Sequence, residues 1–154
     1  MPVLKDYLEP SDSSLREQWA AVLRRSWSAP GKRQSVFLPP ETVLCLCASL
    51  RVNHRRYGSS TADGAPSPVP ELARLFKRPN SSILAKMANL DGSRSHGGRY
   101  DEDIAKFLLH DMARLGHVYR AILLIAREFS VDNWTLPDFL GVEERGVPES
   151  RVVY

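Results

Sequence analysis

Cysteine is scarce in this 154-residue chain, with Cys45 and Cys47 the only two. Two cysteines cannot build a disulfide framework, so the expected setting is a reducing cytoplasm. Long apolar runs are also missing: none approaches the roughly 20 residues that cross a bilayer. The N-terminal MPVLKDYLEPSD has acidic residues and no apolar core region, so it does not read as a secretory signal. No membrane partner is expected.

Motifs for chemistry are absent too. The chain has no H-E-x-x-H, no paired C-x-x-C, no G-x-S-x-G and no acidic metal cluster. The glycine-rich GSRSHGG of residues 92–98 lacks the Gly-Lys-Ser/Thr ending of a nucleotide-binding loop. Cys45 and Cys47 stand two apart on a predicted helix and point to different sides, which suits buried free thiols better than metal ligands. His110 and His117 are seven apart, poor spacing for a metal. The expectation is a binding module, not an enzyme, with no metal and no cofactor. One juxtaposition stays open: His54 and Asp91 could converge.

What is present suits one soluble domain: 43% hydrophobic and 25% charged residues with a net charge of +3. The charge is uneven. Residues 51–99 carry nine Lys and Arg against three acids, while residues 100–154 carry six against ten. A basic patch on a balanced body points to a polyanion on one face.

That basic third contains the most informative stretch, Pro68–Arg99. Leu72, Ala73, Leu75 and Phe76 give a helix its apolar face, with Pro70 in its first turn. Lys77-Arg78-Pro79 stops it, because a residue before proline is pushed out of the α region. Asn80, Ser81 or Ser82 can cap a second helix, whose buried face is Ile83, Leu84, Met87 and Leu90. Two helices so joined form a helix-turn-helix-like hairpin, whose second helix commonly enters the DNA major groove.

Arg74, Lys77, Arg78, Lys86, Arg94 and Arg99 are candidates to meet phosphates. Asn80 and Ser81 offer hydrogen bonds at a helix N-terminus, itself an anion site. The glycines of residues 92–98 allow close backbone approach to a phosphate, with Arg94 and His96 on the same loop. Upstream, Asn53, His54, Arg55 and Arg56 beside Tyr57 form the densest cationic cluster. Its mixture of fork donors, imidazole and aromatic suits DNA contact better than simple helix-dipole compensation. Lys32 and Arg33 are secondary candidates.

Elsewhere the pattern is helical. Residues 1–12 read as irregular. Ser14 and Glu17 form a capping box for a helix to about Ser26, with Leu15, Trp19, Val22, Leu23 and Trp27 on its apolar face. Ser35–Leu38 reads as a small β ribbon. Pro40 or Glu41 opens a core helix containing Val43, Leu44, Leu46, Cys47 and Leu50. Asp101 or Glu102 opens a helix with Ile104, Phe107, Leu108, Met112 and Leu115 inward, ended by Gly116. His117–Phe129 forms another, with Val118, Ile122, Ile125 and Phe129 inward. Trp134, Pro137 and Phe139 pin a tail onto the body. The fold class is mainly α: a compact helical domain over residues 1–141, followed by a linker or tail over 142–154.

The run LARLFKRPNSSILAKMANLD, Leu72–Asp91, resembles the N-terminal region of bacterial HNH-type restriction endonucleases, most specifically at Lys86, Asn89 and Asp91. The resemblance extends from Leu15 to about Leu140. The nuclease half has no counterpart here, so the expectation is a recognition module without cleavage, its linker leading to the nuclease domain of a parent protein. One modification-dependent (type IV) branch carries a sulfur-binding domain that recognises double-stranded DNA with a backbone phosphorothioate. By that resemblance the sulfur pocket is formed by Pro79, Ser82 and the aliphatic part of Arg78. His54–Arg55 flanks it, and either Arg94 or Arg99 closes it. The family often has alanine where Ser82 falls and an aromatic where Arg78 falls. A homodimer is an expectation for the full-length protein. Two other readings stay open: a DNA-binding domain that reads methylated cytosine or plain sequence, and a protein-interaction or dimerisation module.

Overall fold

The computed structural model describes residues 2–29, 31–94 and 97–143. Among them are seven α-helices: α1 Leu4–Leu8, α2 Asp12–Arg24, α3 Pro39–Ala48, α4 Val69–Phe76, α5 Asn80–Leu90, α6 Asp101–Leu109 and α7 Met112–Glu128. Single 3-10 turns lie at His54–Arg56 and Ala62–Gly64. The mainly α expectation holds. The described residues contain no strand, and Ser35–Leu38 is an extended loop, not a ribbon. None of the described helices is long and apolar enough to cross a membrane.

All ten residues of α3 are buried, and α2, α4, α5 and α7 pack around it. Apart from Glu41 and Thr42 its side chains are apolar or small, which fits a helix enclosed on every side. Two prolines occupy its first turn, where missing N–H groups cost nothing. Cys45 and Cys47 are both buried here, and burial pushes both thiols far above their ordinary range. They behave as apolar core residues.

Several element boundaries differ from the sequence reading. Residues 4–8 form α1, held at its start by Asp6, whose carboxylate accepts from Val3 N at 2.7 Å. The cap of α2 is Ser11, whose Oγ accepts from Ser14 N at 3.1 Å, so Ser14 lies inside the helix. Trp27 falls beyond α2 and is 58% exposed. The break expected at Gly116 comes earlier, at His110–Asp111. Asp111 Oδ1 accepts from Arg114 N at 3.1 Å and caps α7, which runs through a buried Gly116. Phe107 and Phe129, expected inward, are partly exposed.

The tail is pinned by Leu136, Leu140 and Val142, all buried, and by Phe139, packed edge-on to Tyr119. Tyr119 Oη donates to Asp138 Oδ1 at 2.9 Å and accepts from Leu140 N at 3.2 Å. Trp134, expected among the anchors, is 90% exposed. The packed body reaches past residue 141, since Val142 is buried and Glu143 forms a two-pronged pair with Arg127 at 2.8 and 2.9 Å. The rest of the expected linker, 144–154, lies outside the described residues.

Candidate functional site

The α4–α5 hairpin turns where expected. Lys77 adopts left-handed φ 56° and ends α4, and Pro79 then opens α5 in extended geometry. A three-residue ion cluster holds this turn. Glu41, fully buried, accepts from Arg25 at 2.6 and 2.9 Å and from Arg78 Nε at 2.9 Å. Arg78 Nη1 donates to Ser35 O at 2.6 Å, and the guanidinium lies 3.7 Å from the Phe37 ring centroid. Arg78 is only 1% exposed. The sequence placed it on the phosphate path and in the sulfur pocket; in the structure it is an internal clamp.

Lys86 needs the same correction. It is 7% exposed, and its Nζ donates to both Asp101 carboxylate oxygens at 2.8 Å. Asp101 Oδ2 also accepts from Gly98 N at 2.7 Å, tying the glycine loop to α5. The glycines there allow this close packing. A Cβ at Gly97 would sit 2.9 Å from Asn89 Cβ, and one at Gly98 would sit 3.2 Å from Lys86 Nζ.

What remains exposed on α5 is a strip of small residues at its N-terminal end. Ile83, Leu84, Met87 and Leu90 face the core, while Asn80, Ser81, Ser82 and Ala85 are half-exposed. Pro79 is exposed and supplies no capping side chain, and neither Ser81 nor Ser82 is the cap. A helix start without a side-chain cap leaves its first N–H groups available to an anion. Asn80 Nδ2 is used internally, donating to Ala62 O at 3.1 Å.

Alongside this strip runs the 3-10 turn His54–Arg56. Asn53 caps the turn, its Oδ1 accepting from Arg55 N at 3.0 Å, so that oxygen is committed. His54 Nε2 lies 2.6 Å from Asp91 Oδ2, realising the convergence left open by the sequence. Arg55 Nη2 reaches the same oxygen at 3.5 Å. Ser93 donates through its N–H at 2.9 Å and through its hydroxyl to Asp91 Oδ1. Burial pushes the Asp91 carboxyl up, but the bonds from His54 and Ser93 outweigh it and hold the group below its ordinary range.

Between the turn and α5 lies a cleft of about 240 Å³, lined by His54, Tyr57, Gly58, Ser59, Ser81, Leu84, Ala85, Ala88 and Arg94. It therefore unites four residues singled out in the sequence, His54, Tyr57, Ser81 and Arg94. Arg55 and Arg56 are exposed on the same turn. Pro79 and Ser82 do not line this cleft, because successive helical residues point about 100° apart. Of the residues expected in the sulfur pocket, Pro79, Ser82, Arg78 and Arg94, only Arg94 lines this cleft. Arg99 is exposed, its guanidinium 5.4 Å from the Tyr100 ring centroid. His96 lies outside the described residues. Ala85 and Ala88 were missed as lining residues. Their signal was the small-residue spacing Ser81, Ala85, Ala88 at i, i+4 and i+7, which leaves a trough on one helix face.

No three His, Cys, Asp or Glu side chains are grouped to hold a metal ion among the described residues. No protein-family model, curated protein or solved structure matches this chain.

Proposed function

We propose that this domain binds double-stranded DNA through the N-terminal end of α5 and the His54–Arg56 turn, and that it selects a backbone phosphorothioate. The supporting observation is the cleft itself. It sets Arg94 and His54 against the trough of Ser81, Ala85 and Ala88, beside an exposed Pro79 at an uncapped helix start. Cations and helix N–H groups attract a backbone phosphate, while small apolar walls favour sulfur, which is larger and less hydrated than oxygen. In this reading the α4–α5 hairpin acts as a helix-turn-helix in the cytoplasm, delivering a nuclease domain carried by the parent protein, and does no chemistry itself.

The test is a mobility shift with three duplexes of one sequence: unmodified, cytosine-methylated and phosphorothioate. Tighter binding of the phosphorothioate duplex is the expected result. Preference for the methylated duplex, or equal binding of all three, replaces sulfur recognition with another DNA reading. Absence of binding to all three removes DNA as the partner.

A further inference from the structure

From Gln18 to Pro40 the chain has no acidic residue and four basic ones, Arg24, Arg25, Lys32 and Arg33. Arg25 is paired with Glu41, while Arg24, Lys32 and Arg33 are exposed. Both ends of the loop that follows α2 are fastened to the three residues before Pro79. At its start, Arg25 Nη1 donates to Phe76 O and Lys77 Nζ donates to Leu23 O, each at 3.2 Å. At its end, Arg78 Nη1 holds Ser35 O at 2.6 Å, and Phe37 lies under the Arg78 guanidinium and 4.9 Å from Lys86 Nζ. The loop is therefore fastened at both ends to the turn that leads into α5.

This loop leaves two large apolar side chains in water, Trp27 at 58% and Val36 at 83% exposure. Neither is part of the core. An exposed indole in an acid-free basic loop matches a polyanion that also offers flat apolar surface, which is the chemistry of nucleic acid. We propose that residues 26–29 and 31–36 form a second DNA-contacting arm, in which Lys32 and Arg33 meet phosphates next to the α5 site and Trp27 packs on a sugar or base edge. The proposal rests on the DNA-binding reading given above.

The chain has three tryptophans. Trp19 is buried, so Trp134→Phe leaves Trp27 as the exposed fluorophore. The full chain carrying Trp134→Phe is titrated with the 20-base-pair duplex that binds best in the mobility shift, and Trp27 accessibility to acrylamide is followed. Bound duplex is expected to shield Trp27. Lys32→Ala with Arg33→Ala is expected to weaken binding about tenfold and to flatten the salt dependence by about two phosphate contacts. If the duplex shifts normally while Trp27 stays equally accessible and the salt slope is unchanged, the arm is refuted and the α5 site stands. If the duplex does not bind at all, the arm falls together with the reading beneath it.

Discussion

His54 Nε2 and Asp91 Oδ2 stand 2.6 Å apart at the edge of the cleft, with Arg55 reaching the same carboxylate. Asp91 therefore neutralises part of the most basic turn in the chain. On the proposed reading it competes with a backbone phosphate for the Arg55 guanidinium and for the His54 ring. Asp91→Asn removes that competition while keeping a side-chain oxygen for Ser93. Affinity for ordinary duplex should rise about two- to fivefold, the scale of one partly exposed charge interaction. Mobility shift at matched ionic strength checks this. Weaker binding by a folded Asp91→Asn chain would make Asp91 a support for His54 instead of a competitor.

The same carboxylate gives the fold a pH dependence of fixed sign. Its pKa is held below the ordinary carboxylate range by His54 and Ser93. A depressed acid contributes stability that is present above its unfolded pKa, about 3.9 for aspartate, and lost as pH falls through the folded value. Urea midpoints of the parent chain and Asp91→Asn should therefore differ at neutral pH and converge as the pH is taken below 4. A gap that stays constant across that range would mean the carboxylate contributes nothing through its charge.

Lys86 and Asp101 behave as fold elements, not as DNA contacts. Breaking a buried pair leaves an uncompensated charge, so Lys86→Met should cost about 3–5 kcal/mol. The additional change Asp101→Asn should recover much of that, since a neutral amide no longer strands a charge and its oxygen still accepts from Gly98 N. Chemical denaturation of the single and double variants measures this. A fully stable Lys86→Met chain would return Lys86 to the surface role that its charge suggests.

The hairpin was legible because its signals are local: a helical apolar repeat at Ile83, Leu84, Met87 and Leu90, and a proline in the turn. The roles of Arg78 and Lys86 were not, because their partners Glu41 and Asp101 lie 37 and 15 residues away. A cation in sequence looks the same whether it faces water or a distant carboxylate. Gly116 misled for a related reason. Glycine is a poor helix residue in isolation, but here it is buried in the second turn of α7, and the break comes before it, at the Asp111 cap. Trp27 was assigned inward by periodicity one turn beyond where α2 ends, and Trp134 was assigned as an anchor by hydrophobicity alone. The cleft was half legible: its cations stood out by charge, its alanine floor did not.

Arg78 and Arg94 separate these two kinds of cation experimentally. Arg78→Ala removes one of the two cations on buried Glu41 and leaves Arg25 in place, so it should destabilise the chain by about 1.5–3 kcal/mol, the worth of hydrogen bonds to a charged group. Arg94 is exposed and lines the cleft, so Arg94→Ala should leave the urea midpoint nearly unchanged. Its loss should instead weaken duplex binding by about 1.5–3 kcal/mol, the worth of a charge-assisted contact. Equal and small effects of both changes on duplex affinity would shift the interface away from this face.

Pro79 separates sulfur recognition from plain DNA binding. The proline ring is exposed at the start of α5, where helix N–H groups prefer oxygen, the better acceptor. Discrimination in favour of sulfur must then come from apolar surface. Shielding sulfur against the ring should gain what one or two buried methylenes gain, about 0.8 kcal/mol each. That corresponds to a phosphorothioate preference of about four- to fifteenfold. Pro79→Ala should erase most of this preference and leave weak, salt-sensitive binding to ordinary duplex nearly intact. Ser82→Asp, in the first turn of α5, should instead repel the backbone and lower both affinities together. The measurement is the ratio of dissociation constants for matched sulfur and oxygen duplexes, after circular dichroism has shown each variant folded. A ratio that survives Pro79→Ala but collapses when Ala85 is enlarged to Leu would move the sulfur contact from the helix start into the cleft floor beside Arg94.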